Sequence, residues 1–126
     1  MTLIRRTYVD GPYGQIHVRY SRPAQRRGPP LVCFHATPFS SRSYELFMEK
    51  IGTDRAVFAL DTPGYGESDR PPAALSIPEY ANALLSAIDA LELTREIDLI
   101  GTDTGTRLAV EVAISRPSLV RRLIFV

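Results

Sequence analysis

Ile97-Asp98-Leu99-Ile100-Gly101-Thr102-Asp103-Thr104-Gly105-Thr106-Arg107-Leu108 is the stretch on which the fold turns. An apolar run reaches Gly101. After Gly105, the small and apolar residues Leu108, Ala109, Val112 and Ala113 recur at helical spacing. The pattern predicts a strand, a sharp bend and a helix, with one acidic side chain, Asp103, between two glycines. Small residues on both sides suit a tight bend with a helix packed closely beneath it. The residue at the tip then projects outward, beside the unpartnered N–H groups of the helix start.

Outward from this bend, strands alternate with helices. Downstream, Arg116-Pro117 closes the helix and Leu123 to Val126 begins another apolar strand. Upstream, Ser76-Ile77-Pro78-Glu79 reads as a capping box with proline in the first helical turn. The helix behind it offers Ala81, Leu84, Leu85 and Ile88 as a buried face. Ala56 to Leu60 is a short buried strand that runs into the turn-rich loop Asp61 to Pro72. A helix is expected from about Ser41, where Tyr44, Phe47, Met48 and Ile51 fall on one face and Gly52 is a stop signal. Leu31 to Phe34 is a continuous apolar strand ended by His35-Ala36-Thr37-Pro38, and Ser21 to Pro30 is a polar, proline-rich loop.

Two strands, Thr7 to Val9 and Gln15 to Tyr20, open the chain around Asp10-Gly11-Pro12-Tyr13-Gly14. In the second, Ile16, Val18 and Tyr20 alternate with His17 and Arg19, which assigns His17 to the more polar face as a surface histidine. The whole implies one α/β domain over residues 1–126. Its sheet is mostly parallel, of about six strands, with helices on both faces. Ending on a bare apolar strand suggests a truncated chain. Such an edge invites pairing between chains, so dimers or aggregation through the last strand are expected.

Composition narrows the function classes. The chain has 126 residues, 44% hydrophobic and 23% charged, as expected of a soluble globular domain. The net charge of +1 argues against a nucleic-acid partner, which requires a concentrated basic surface. The one basic cluster, Arg22 to Arg27, lies among prolines and a glycine and reads as a solvated loop. No run approaches the ~20 apolar residues of a membrane-spanning helix. The first residues lack the apolar core of a secretory signal, and a reducing cytoplasm is the expected compartment. Cys33 is the only cysteine and sits in an apolar strand, so a buried, inert thiol is expected. Gly64 and Gly66 lack the third glycine of a dinucleotide fingerprint. There is no Walker lysine and no histidine cluster for a metal, so no cofactor is expected. A small-molecule substrate is the expected partner.

Three segments in order carry a resemblance: His35-Ala36-Thr37-Pro38 after the third strand, Asp61-Thr62-Pro63-Gly64-Tyr65-Gly66-Glu67-Ser68-Asp69 after the fourth, and Gly101-Thr102-Asp103-Thr104-Gly105 after the fifth. Together they resemble the N-terminal half of an α/β-hydrolase, with Gly-x-Asp-x-Gly standing where the family has its Gly-x-Ser-x-Gly nucleophile elbow. Aspartate there is similar to the haloalkane dehalogenase and epoxide hydrolase branches. The resemblance implies that Asp103 attacks an alkyl carbon and forms an ester, which a histidine-activated water then hydrolyses. A carboxylate at a helix N-terminus is stabilised as the anion by about 0.3–1 kcal/mol. Asp103 is equally a favoured helix cap, and a non-catalytic relative with a degenerate site is the alternative reading.

The resemblance also implies an oxyanion hole from the backbone N–H groups of Thr104 and Thr37. His35 and Pro38 fall in the active-site loop, with His35 shaping that loop rather than acting as base. The Asp61 to Pro71 segment reads as scaffold at the mouth of the site. Two departures stand out. Thr104 occupies the place of the tryptophan that the aspartate branches carry, and His35-Ala36 replaces the usual His-Gly. The family's catalytic histidine, its acid and its cap lie beyond the sixth strand. His17, on an early strand, does not have the position of that histidine.

Overall fold

The computed structural model describes residues 2–126. Its strands are β1 (Arg5–Gly11), β2 (Gly14–Ser21), β3 (Leu31–Phe34), β4 (Val57–Leu60), β5 (Ile97–Gly101) and β6 (Val120–Phe125). They form one sheet in the order β1-β2-β4-β3-β5-β6. β1 pairs antiparallel with β2, and β2 antiparallel with β4. From β4 onward the pairing is parallel, through β3 and β5 to β6. The chain therefore starts as a hairpin and continues as crossover units whose helices cover the sheet.

Three helices do this. α1 (Glu45–Ile51) follows a 3-10 turn over Ser41–Tyr44, and α2 (Ile77–Ala90) and α3 (Thr104–Ser115) follow β4 and β5. Against one face, Tyr44 and Met48 pack on Leu31, Cys33, Val57, Ala59 and Ile100. On the other, Leu84, Ile88, Leu108 and Val112 pack on Val32, Phe34, Phe58 and Leu99. Both faces of the central strands are thus covered, which is why β3 and β4 are apolar throughout. The Cys33 thiol is fully buried, and burial pushes its pKa well above the ordinary range.

The ends of the helices follow from their sequences. Ser76 accepts from the Glu79 N–H, and the Glu79 carboxylate accepts from the Ser76 N–H, a complete capping box. The helix predicted from Ser41 is tighter at its start. Ser40 accepts from the Arg42 N–H, and regular α-helix begins only at Glu45. Gly52 follows its last residue. β5 carries one buried charge, Asp98, which requires partners at that depth. Arg121 supplies two hydrogen bonds, at 3.0 and 2.7 Å, and Arg55 a third. β6 lies at the sheet edge, with Phe125 exposed.

The alternation in β2 misplaced His17. That histidine is 1% exposed. The expectation took the polar side of β2 for a solvent face. β2 instead lies between β1 and β4, and the segment after β4 folds back over it. There Ser68 Oγ accepts from the His17 N–H at 3.0 Å, and the Gln15 carbonyl accepts from the Asp69 N–H at 3.0 Å.

Candidate active site

The bend after β5 is tight because its glycines leave no alternative. A Cβ on Gly101 would lie 2.6 Å from the Gly105 carbonyl oxygen, and one on Gly105 would collide with the carbonyl oxygens of Phe34 and His35. Gly105 N–H donates to the Thr102 carbonyl at 2.8 Å and Thr106 N–H to the Asp103 carbonyl at 2.9 Å, closing the turn. Asp103 at its tip has φ 51° and ψ −115°, outside the regions that residues with a Cβ normally adopt. Its side chain is exposed. It precedes α3 in the capping position, yet makes no capping hydrogen bond. The carboxylate is left unengaged by its own helix.

The loop after β3 borders this bend. Thr102 N–H donates to the Phe34 carbonyl at 3.1 Å, joining the two strand ends. His35 is buried, and both ring nitrogens are used. Nδ1 contacts the Ala36 carbonyl at 2.9 Å, and Nε2 accepts from the Thr62 N–H at 3.0 Å. Donation by a main-chain N–H requires a lone pair on Nε2, so the proton sits on Nδ1 and the ring is neutral. Burial lowers the His35 pKa, against the opposing pull of the Ala36 carbonyl and Asp61. Pro38 follows, exposed, on the same loop.

Thr37 and Thr104 meet directly. The Thr37 N–H donates to Thr104 Oγ1 at 2.7 Å, and that hydroxyl donates to Thr37 Oγ1 at 2.9 Å. Both residues are exposed. Thr104 is the first residue of α3, so its own N–H has no partner within the helix.

Two side chains hold the bend and the neighbouring loops through contacts that the sequence does not show. In the sequence Tyr44 falls on a buried helical face. Its hydroxyl donates to the Phe34 carbonyl at 3.1 Å and lies 2.6 Å from Thr102 Oγ1. Burial pushes its pKa up to about 12, with the Thr102 bond acting the other way, so the phenol stays protonated. Asp61 is the second. Its Oδ1 accepts from the Ser41 N–H at 2.6 Å, and its Oδ2 from the Glu67 N–H and His17 Nδ1, both at 2.9 Å. Burial acts to raise the Asp61 pKa. The donors from Glu67, Ser41 and His17 outweigh it and hold the carboxyl below its ordinary value. One carboxylate thus ties together β2, the start of the Ser41 turn and the loop after β4.

A family model for the alpha/beta hydrolase fold matches residues 29–126. The chain belongs to the α/β-hydrolase fold family. Among curated relatives, it is 31% identical over 98 residues to a haloalkane dehalogenase of Mesorhizobium japonicum, covering 78% of this chain and 31% of that protein. It is 32% identical over 101 residues to a 2-hydroxymuconate semialdehyde hydrolase of Pseudomonas sp., covering 77% and 35%. A solved haloalkane dehalogenase loop variant from Bradyrhizobium elkanii superposes with a TM-score of 0.87 at 28% identity, over 97% of this chain and 40% of that one. An epoxide hydrolase from an endophytic Streptomyces superposes with a TM-score of 0.84 at 25% identity, over 97% and 36%. The α/β-hydrolase chain described here spans about a third of the length of the curated relatives it matches. Among the described residues, no helix is long and apolar enough to cross a membrane.

Proposed function

We propose that this α/β-hydrolase chain carries the nucleophilic half of a hydrolase acting on a small ester, epoxide or related electrophile, with Asp103 as nucleophile. The observation that carries the reading is the backbone of Asp103. A residue with a Cβ is held at φ 51° and ψ −115° between two obligatory glycines, with its carboxylate exposed and uncapped. Strain of that kind costs on the order of 1–3 kcal/mol and persists where the surroundings over-determine it, as they do at reacting groups. With an epoxide, an Asp103 oxygen attacks a ring carbon, the C–O bond breaks, and the ring oxygen leaves with the electron pair and takes a proton from solvent. Water then attacks the Asp103 carboxyl carbon of the ester, releasing the diol and restoring the carboxylate. The N–H groups of Thr104 and Thr37 would stabilise the oxyanion of that second step, each worth about 2.7–4 kcal/mol where such donors have been removed elsewhere.

One observation favours a second reading, a binding or structural protein of the same family. The Thr37 N–H, which the hydrolase reading assigns to an oxyanion, is taken up by Thr104 Oγ1 at 2.7 Å, and Thr104 stands where the aspartate branches carry tryptophan. The two readings separate on the first half-reaction, which needs no base. The chain is incubated with excess styrene oxide and its intact mass followed. The nucleophile reading expects one adduct, mapped to the peptide containing Asp103 and lost in Asp103→Asn. No adduct, or one that Asp103→Asn leaves in place, would favour the binding reading.

A further inference from the structure

The Thr104 hydroxyl oxygen lies 2.7 Å from the Thr37 nitrogen, within the 2.7–3.1 Å at which an oxyanion donor holds its reacting oxygen. We propose that Thr104 is a side-chain gate on the Thr37 amide, its hydroxyl standing where a substrate oxygen binds and being displaced when one enters. This rests on the reading of Thr37 and Thr104 as oxyanion donors and adds what controls one of them.

The bond arrangement supports displacement. Thr104 Oγ1 uses its lone pair on the Thr37 N–H and its proton on Thr37 Oγ1. Both side chains are exposed, so rotating the Thr104 hydroxyl away exchanges two solvent-accessible hydrogen bonds for water contacts, a small cost. Once it turns, the site presents the Thr37 N–H, the Thr37 hydroxyl and the Thr104 N–H at the start of α3 to an incoming atom. All three are donors suited to an oxygen, either a carbonyl oxygen or the alkoxide formed when an epoxide opens. The gate therefore directs the site toward oxygen-bearing electrophiles. It also keeps the Thr37 donor satisfied while the site is empty.

The test uses the chain itself, with Thr104→Val, which keeps the shape and removes the hydroxyl, and Thr104→Ser, which restores it. Amide exchange at Thr37 is read by NMR, and the remaining amides report whether the fold is intact. Thr104→Val is expected to speed exchange at Thr37 about fivefold, and Thr104→Ser to return it to the wild-type rate. N-methylacetamide, a neutral carbonyl that the Asp103 charge does not repel, is then titrated. Its saturable shift of the Thr37 resonance is expected at roughly fivefold lower concentration in Thr104→Val than in wild type, since no hydroxyl has to be displaced. Unchanged Thr37 exchange in Thr104→Val, equal affinities, or no saturable shift in Thr104→Val overturns the gate. If Asp103 takes up no styrene oxide while these differences appear, the nucleophile falls and the gate stands. If Asp103 is alkylated while Thr37 ignores Thr104→Val, the reverse holds.

Discussion

The Tyr44 hydroxyl lies 2.6 Å from Thr102 Oγ1, one residue before the strained tip of the bend. The same hydroxyl donates to the Phe34 carbonyl, so Thr102 must donate its own proton to the tyrosine oxygen. The turn before α1 thus reaches the ends of the interior strands β3 and β5 and anchors the residue that precedes Asp103. Helix, strand end and bend become one unit through a single phenol.

Tyr44→Phe tests that unit. The ring remains buried and only the oxygen is lost. The Thr102 hydroxyl then loses its acceptor and the Phe34 carbonyl one of its donors. A loss of about 1–2 kcal/mol in urea denaturation is expected, with an unchanged far-ultraviolet circular dichroism spectrum. The rate of adduct formation at Asp103 should fall as well, because the bend loosens. An unaltered unfolding midpoint would show that the bond carries no weight.

Gly105→Ala tests the bend itself. The added Cβ would run into the carbonyl oxygens of Phe34 and His35, and backbone cannot swing aside as a side chain can. Helix propensity alone would make alanine the better residue by about 1 kcal/mol. The clash should reverse that sign, with a net loss of about 3 kcal/mol measured by chemical denaturation. Any gain in stability would mean that α3 leaves room for a Cβ beside the Phe34 and His35 carbonyls.

Acid should act at Asp61 and His35. The folded-state pKa of Asp61 is depressed, so its contribution to stability is fully present above the unfolded value near 3.9 and is lost as pH falls through the lower folded value. The His35 pKa is also depressed, so its neutral ring stabilises the fold above about 6.5, and protonation erodes that as pH falls below it. The urea midpoint is expected to be flat from pH 8 to 7, to decline gently below about 6.5, and to drop steeply below about 4. Asp61→Asn replaces one of the two acceptor oxygens by an NH2, so the Ser41 N–H or the Glu67 and His17 donors lose their acceptor, and should cost about 3 kcal/mol at pH 7. It should also flatten part of the acid limb. Asp98, held low by its hydrogen bonds to Arg121 and Arg55 against the effect of burial, keeps the remainder. A midpoint constant from pH 7 to 5 would remove His35 from this account.

The parts of this molecule that were legible in the sequence are those set by local pattern. Gly101 and Gly105 announced the close approach because only a missing Cβ fits there. Ser76 and Glu79 announced a helix start because both halves of the capping box lie three residues apart. The apolar runs Leu31 to Phe34 and Ala56 to Leu60 announced a covered sheet, and β3 and β4 lie within them. What escaped depends on segments distant in sequence. Alternation gives the face of a strand but not what covers it, and the cover over His17 comes from residues around Asp61 and Ser68. Tyr44 fitted a helical stripe perfectly well as hydrophobe, and its hydroxyl acquired a task only when Thr102 came within reach. The contact between Thr37 and Thr104 likewise arises from two loops brought side by side at the ends of neighbouring strands β3 and β5.

Asp103→Gly separates stability from chemistry at the tip. At φ 51° and ψ −115° glycine pays no steric penalty, while an aspartate carries strain on the order of 1–3 kcal/mol. Glycine's greater freedom in the unfolded chain offsets about 0.5–1 kcal/mol of that relief. No side-chain capping bond is lost, because Asp103 makes none. The expected outcome is a protein about 1 kcal/mol more stable by urea denaturation, with adduct formation abolished. Asp103→Ala keeps the strained Cβ and should show the same chemical loss without the gain. If glycine is no more stable than alanine there, the strain is not stored at this residue, and the backbone argument for a reacting group at position 103 fails with it.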